Sequence, residues 1–352
     1  MPKLTLLKST GLFLLLIGLF PGLCWSADTG QGLGSGLTTP GFHDQPNWFK
    51  TSFLDLREDV SEAAEEGRRV ILYFYQDGCP YCAKLLNENF TIRTIVDRTR
   101  EHFQIIALNI WGDRMVTDLQ GAEITEKSLA ETLKVRYTPT LLFLDEQGQV
   151  VLRVNGYYPP HRFMAALDYV ASRGEQKGSF REYLKQHLTL AASGKLHRES
   201  GYLTPPLDLR PAKRHSGKPL LVLMETKQCP PCDELHDKAF ARPDVRKSLQ
   251  GFDIAILDIW SSETLITPQG ETLSATGWAD KLGIQYAPSL IFFDAQGQEV
   301  FRSEAYLKSF HVNAGLEYVL SGSYRDQPNF QRYVQSRAEA MRARGETVDL
   351  ME

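Results

Sequence analysis

The sequence predicts an α/β protein built from two tandem copies of one domain, each a central mixed sheet flanked by helices. Three observations carry this. The chain repeats itself at an offset of 149 to 150 residues. Within each copy, short apolar runs rich in β-formers alternate with helical segments. Each copy also holds a single Cys-x-x-Cys pair directly after its first apolar run.

The repeat is legible along most of its length. Residues 72–82 (LYFYQDGCPYC) match 222–232 (VLMETKQCPPC) at an offset of 150. IALNIW, ending at Trp111, matches IAILDIW, ending at Trp260, and TPTLLFLDEQGQVV from Thr138 matches APSLIFFDAQGQEV from Ala287, both at 149. The frame holds at Tyr157 and Tyr306 and at Tyr169-Val170 and Tyr318-Val319, and Leu-Asp-Leu-Arg recurs at 54–57 and 207–210. A fixed period of this kind is the mark of a duplicated domain.

Taken in order, residues 70–75 are short, β-rich and followed by Asp77-Gly78, which predicts a buried strand. A helix follows the cysteines. A second buried strand is expected over 105–111, a helix over 126–133, a hairpin from 140–144 and 150–154 across Glu146-Gln147-Gly148, and a closing helix over 163–172. The second copy runs in the same order from 220 to 320. Between them, 172–218 is polar and broken by Gly174, Gly178, Gly194, Gly201, Pro205, Pro206 and Pro211, a connector with a short helix around 180–190. A similar helix, 330–344, ends the chain. The expected organisation is a signal peptide over 1–26, a flexible leader over 27–48, a first domain over 49–172, a linker over 173–204, a second domain over 205–322 and a C-terminal helix within 323–352.

Composition bounds the function. The 352 residues suffice for two domains, and 42% hydrophobic, 23% charged and 11% aromatic side chains are those of a soluble globular chain, which excludes disordered, fibrous and membrane-embedded classes. At the N-terminus, Lys3 and Lys8 precede an apolar run over 11–23, and the small residues Ser26 and Ala27 follow, the pattern of a cleaved secretory signal. A membrane anchor is the rival reading, but a run of about 13 residues falls short of the roughly 20 that span a bilayer. Cys24 raises a lipid-anchored form, against which Leu23 stands where a small residue is wanted. The expected location is therefore periplasmic or otherwise exported. Cleavage near Ser26 leaves 37 basic and 43 acidic side chains, a net charge of about −6, and no basic patch for nucleic acid.

After the signal, all four cysteines fall into the pairs Cys79/Cys82 and Cys229/Cys232, which is redox or metal spacing rather than a disulfide framework joining distant segments. Two cysteines three apart at a helix start share a face, at a separation compatible with a disulfide whose Cα atoms are about 5.5 Å apart. The first of each pair has its thiolate favoured by free backbone N–H groups and the helix dipole, which makes Cys79 and Cys229 the attacking nucleophiles. Cys82 and Cys232 are then the resolving cysteines. The competing reading is a structural zinc half-site or an inert buried pair. Zinc ribbons place two such pairs about 15 to 20 residues apart; these are 150 apart, once per repeat.

GCPYC after a buried strand, followed by Tyr-Thr-Pro-Thr-Leu about 58 residues later, resembles the thioredoxin superfamily. The Pro80-Tyr81 dipeptide is similar to that of glutaredoxins. The arrangement of 121–133 (GAEITEKSLAETL) before 135–140 (VRYTPT) resembles the exported thioredoxins of sulfur-oxidation clusters, the SoxW type. The likeness covers 54–171 and, more loosely, 207–320. It implies two tandem thioredoxin-like domains, and that Pro139 and Pro288 are cis-prolines facing the cysteines and holding substrate backbone, with Thr138 and Tyr81 beside them. It implies no cofactor. The sequence departs from that family where a buried carboxylate six residues before the first cysteine is replaced by Tyr73 and Leu223, so proton transfer must use water or another group. Ala287 replaces the usual Thr or Val before the second proline.

Local chemistry separates the two pairs. Backbone N–H groups of Tyr81 and Cys82 are both available to Cys79, whereas Pro230 and Pro231 remove two donors near Cys229. Asp233 and Glu234 follow Cys232 where the first copy has Ala83 and Lys84, and nearby negative charge disfavours a thiolate. Cys79 is expected to be the more acidic thiol and Cys229/Cys232 the more reducing pair, unless the two acids only favour their helix N-terminus in solvent. Trp111, Trp260, Tyr157 and Tyr306 read as core or rim aromatics, and His161, His236 and His311 as surface or satisfied histidines without metal spacing. The function read from all this is thiol-disulfide exchange on protein disulfides or thiols, fed by a membrane thiol-transfer donor. A thioredoxin-fold scaffold and a metal chaperone are the alternatives. Oligomeric state is not legible.

Overall fold

Along the strand Arg69–Tyr75 (β1), every residue from 69 to 74 is buried, and alternate side chains feed two different cores. Ile71 and Tyr73 enter one; Val70, Leu72 and Phe74 enter the other. A strand covered on both faces must be the centre of a three-layer unit. The structure is a computed structural model that describes residues 44–187, 192–305 and 307–350. The expected signal peptide and most of the leader lie outside the described residues, as does Tyr306.

The first repeat runs α1 (Leu56–Glu65), β1, α2 (Pro80–Lys84), α3 (Arg93–His102), β2 (Phe103–Asn109), β3 (Met115–Thr117), β4 (Glu123–Thr125), α4 (Glu126–Thr132), β5 (Thr140–Leu144), β6 (Val150–Asn155), α5 (Pro160–Ala171) and α6 (Phe180–His187). Its main sheet has the order β2-β1-β5-β6. β1 pairs parallel with β2 (Ile71 opposite Ile105) and antiparallel with β5 (Leu72 opposite Leu142). The second repeat follows with α7 (Pro211–Arg214), β7 (Leu220–Glu225), α8 (Pro230–Glu234), α9 (Pro243–Leu249), β8 (Asp253–Asp258), β9 (Thr264–Ile266), β10 (Thr272–Ser274), α10 (Ala275–Lys281), β11 (Ser289–Phe293), β12 (Glu299–Ser303), α11 (Ser309–Leu320) and α12 (Phe330–Ala343). Its sheet, β12-β11-β7-β8, has the same pairings. Two mixed four-stranded sheets with flanking helices are thus the architecture that the repeat and its periodicities predict.

Differences from the expected boundaries have local causes. β2 ends at Asn109 rather than at Trp111 because the chain turns there: Asn109 Oδ1 accepts from Trp111 N, and Asn109 O from Gly112 N. α5 starts three residues before the expected Phe163, since Pro160 fits a first helical turn that needs no N–H. The two short pairs β3/β4 and β9/β10 were not expected from the sequence. The helix after each cysteine pair loosens into a π-helical stretch, Leu85–Asn89 and Leu235–Phe240. The linker is not loose along its length: Leu196 and Tyr202 pack on the second core, and Leu203 N donates to Ile254 O. At the other boundary, Trp48 and Phe49 already pack on the first core.

The two cores interlock. Tyr137, two residues before Pro139, is buried in the core of the second repeat, where its hydroxyl donates to Arg302 O. Tyr286, its counterpart two residues before Pro288, is buried in the core of the first, with its ring 5.2 Å from Tyr158. The repeats therefore face each other like the subunits of a twofold dimer, each inserting the same tyrosine into its neighbour. No helix among the described residues is long and apolar enough to cross a membrane.

Candidate active sites

Each cysteine pair begins a helix packed at the end of a central strand. Cys79 caps α2 and Cys229 caps α8, each in a non-helical conformation that leaves its sulfur at the helix N-terminus. Both pairs are closed as disulfides with Cα atoms 5.2 Å apart, close to the separation the spacing predicts. Cys82 N donates to Cys79 Sγ at 3.0 Å, and Cys232 N to Cys229 Sγ at 3.1 Å. In the disulfide form the expected difference in donors does not appear, because a single backbone donor reaches each first sulfur. The two prolines of Cys-Pro-Pro-Cys cost the second site no contact that the first site makes.

The charge argument also changes. Partial burial pushes Asp233 up, but the N–H and hydroxyl of Ser193 together with His197 outweigh it and hold the carboxyl below its usual range. Glu234 pairs with Lys308 at 2.6 Å and Lys238 at 3.7 Å. The acids after Cys232 are half-buried and paired, so they are a weak brake on a thiolate at Cys229.

Thr138-Pro139 and Ala287-Pro288 are both cis. Thr138 O lies 3.4 Å from Cys79 Sγ, so Thr138 borders the first pair and Pro139 follows it in the chain. Pro288 lines a small cleft with Pro231. Tyr81 is placed differently from a free substrate contact: it is 4% exposed, its hydroxyl accepts from Lys308 N at 2.9 Å, and its ring meets that of His311 edge-on at 5.1 Å. The dipeptide of the first site is thus covered by the second repeat.

That covering is reciprocal. A cavity of about 190 Å³ beside Cys79 is walled by α11, α12 and Leu350, and one of about 280 Å³ beside Cys229 by α5 and α6. Trp111 and Trp260 are rim aromatics in equivalent places, each under a cation from the opposite repeat: Arg332 at 4.5 Å, and Arg181 at 4.7 Å. Tyr157 donates to Glu88 at 2.5 Å.

Among the histidines, His161 is exposed, whereas His236 and His311 are buried. His236 Nε2 lies 2.8 Å from Glu225 Oε1, and Glu225 is fully buried. The second repeat therefore does hold a buried carboxylate, four residues before Cys229, where the first repeat has Tyr75. It escaped the sequence reading because only the position six residues before the cysteine was considered.

Burial, reinforced by Arg337, pushes His311 down to about 4. In the unfolded chain the same ring titrates near its ordinary ~6.5, so between those values the unfolded state binds the extra proton. Stability is expected to fall as the pH drops through this window, by about 2 kcal/mol at pH 5 relative to pH 7.5 from this residue alone. His311→Gln should remove that component, seen as a flatter pH dependence of the urea midpoint. An unchanged slope in the variant refutes it.

The model of the thioredoxin-like domain family matches residues 56–171 and again 191–320, most of the chain. The chain belongs to the thioredoxin-like domain family. As tandem thioredoxin-like domains, its repeats resemble solved structures over about one domain each. A thioredoxin-fold protein from Helicobacter pylori is 22% identical, over 39% of this chain and 97% of that one, with a TM-score of 0.31. A thioredoxin from Thermus thermophilus is 23% identical, over 38% and 94%, with a TM-score of 0.28. The C-terminal domain of Neisseria meningitidis DsbD in its oxidised form is 16% identical, over 35% and 93%, with a TM-score of 0.24. No curated protein matches the chain. The thioredoxin-like domains were legible from the cysteine motifs. The residues closing each site from the opposite repeat, Arg162, Arg181, Lys185 and His311, were missed, although their mismatch at equivalent repeat positions was visible in the sequence.

Proposed function

We propose that the protein is an exported thiol-disulfide oxidoreductase with two redox pairs, exchanging disulfides with protein partners and drawing electrons from a membrane thiol-transfer donor. The observation that carries the exchange chemistry is the pairing of each first sulfur with the N–H of its resolving cysteine at a helix N-terminus, at 3.0 and 3.1 Å. That donor stabilises a thiolate when the pair is reduced. The Cys79 thiolate attacks one sulfur of a substrate disulfide, forming a mixed disulfide and releasing one substrate thiolate. Cys82 then attacks Cys79 Sγ and releases the second, leaving Cys79–Cys82 oxidised and the substrate reduced by two electrons. Cys229 and Cys232 do the same in the second repeat. Thr138 and Pro139 are the proposed rests for substrate backbone at the first site. Export is supported by the lysine, apolar and small-residue pattern of residues 1–27, and the finer likeness to sulfur-oxidation thioredoxins by residues 121–140.

The test is a redox titration in glutathione or dithiothreitol buffers with alkylation mapping, on the intact protein and on Cys79→Ser/Cys82→Ser and Cys229→Ser/Cys232→Ser. Two reversible transitions, one lost in each variant, are expected within the roughly −270 to −120 mV span of such sites. Pairs that stay oxidised across the titration, or bind zinc when reduced, would make the protein a scaffold or metal carrier.

A further inference from the structure

The two cavities have the same architecture, each with an arginine over its rim tryptophan, but differ in the charge of their lining. Three equivalent positions line both: Arg162, Arg181 and Lys185 face Cys229, and His311, Gln331 and Gln335 face Cys79. These counterparts stand 149, 150 and 150 residues apart. Every cation at the second site is thus matched by a residue without a permanent charge at the first.

The two arginines keep donors that the fold does not use. Arg181 is 6% exposed, and its Nη2 donates to Asp280, yet its Nε and Nη1 have no hydrogen-bond partner among the described residues. A buried guanidinium with idle donors is costly unless an acceptor meets it. Its plane lies 4.7 Å over Trp260, and Lys185 Nζ lies 4.3 Å from the same ring. Arg162 Nε is likewise buried without a partner, while Nη1 donates to Ala287 O at 3.5 Å and the guanidinium sits 4.4 Å over Tyr286. Planar forked donors of this kind suit a carboxylate.

The same contacts disfavour a polypeptide there. Arg162 occupies the Ala287 carbonyl next to Pro288, and Tyr286 is locked in the first core. About 280 Å³ holds a small molecule.

We propose that the cavity beside Cys229 binds a low-molecular-weight disulfide bearing a carboxylate, its anionic end held by Arg181 and Arg162 and its sulfurs lying against Cys229. This assignment of a substrate class rests on the oxidoreductase reading. With the pair reduced, the Cys229 thiolate attacks the bound disulfide, forms a Cys229–S–S–R bond and releases one RS⁻. Cys232 attacks Cys229 Sγ, the second RS⁻ leaves, and the pair is oxidised as the substrate gains two electrons. A dithiol donor returns the pair to its reduced form.

The experiment uses the full chain carrying Cys79→Ser/Cys82→Ser, with dithiothreitol as donor. Three disulfides of similar length are compared: dianionic 3,3′-dithiodipropionate, neutral 2-hydroxyethyl disulfide and dicationic cystamine, each rate divided by its uncatalysed rate. The dianion is expected to exceed the neutral disulfide in kcat/KM by about tenfold or more, since one charge-assisted hydrogen bond is worth that much. Arg181→Met and the exposed-site change Lys185→Glu should each collapse the ratio toward one, as should added salt. The complementary protein, with Cys229→Ser/Cys232→Ser, should show no preference for the dianion. Reduction of all three without charge preference, or a preference untouched in both variants, overturns the subsite and leaves the oxidoreductase standing. No reduction of any of them, the neutral one included, overturns both.

Discussion

Cys79→Ser combined with Cys229→Ser is expected to lower disulfide reduction by at least about a thousandfold, the scale on which losing a nucleophile acts. A serine hydroxyl at neutral pH supplies no anion comparable to a thiolate and forms no bond to sulfur that Cys82 or Cys232 could resolve. Each single change should leave the share carried by the other repeat, so insulin reduction and reduction of 2-hydroxyethyl disulfide together apportion the activity. Insulin reduction is expected to fall mainly with Cys79→Ser. That site has Thr138 O beside its sulfur and carries one cation, Arg332, over its rim at Trp111, whereas Arg162 occupies the matching carbonyl at the second. Cys82→Ser should instead hold the mixed disulfide on Cys79, visible as a mass increment. Activity that survives the double nucleophile variant refutes both sites.

Much of this was legible in the chain, and the reason is physical. A strand buried on both faces must be a continuous apolar run, and residues 70–75 and 220–224 are such runs. A redox pair must sit at a helix N-terminus with its cysteines three apart, and that spacing is local. What local patterns do not encode is contact between residues more than a hundred positions apart that belong to different domains. Tyr137 and Tyr286 read equally well as core residues of their own repeats, and Tyr81 as a solvent-facing contact for substrate. The donor difference expected at Cys-Pro-Pro-Cys is absent from the disulfide form for a related reason: local sequence gives the available donors, but the turn at the helix start brings only one of them to sulfur. The difference between the sites lies in the helices that close them from across the interface.

Tyr137→Ala with Tyr286→Ala is therefore expected to separate the repeats while leaving each sheet intact. Tyr286 is 1% exposed among the rings of the first core, and Tyr137 packs against Phe301 and Phe330 of the second. Truncating a buried aromatic costs about 3 to 5 kcal/mol where the surroundings cannot collapse. Here the loss falls on the interface, so cooperativity between the repeats should weaken and urea unfolding should split into two transitions. Cys79 and Cys229 are only 2% and 4% exposed in their disulfides, and once reduced they should react faster with a bulky maleimide than in the parent. Tyr137→Phe keeps the ring and gives up only the hydrogen bond to Arg302 O, worth about 1 kcal/mol, so its cysteines should stay nearly as shielded as in the parent. A double alanine variant with one transition at the parent midpoint and unchanged maleimide rates would mean that the tyrosines do not hold the repeats together. Loss of shielding in Tyr137→Phe as large as in the alanine variants would assign the hold to the hydroxyl rather than to the buried ring.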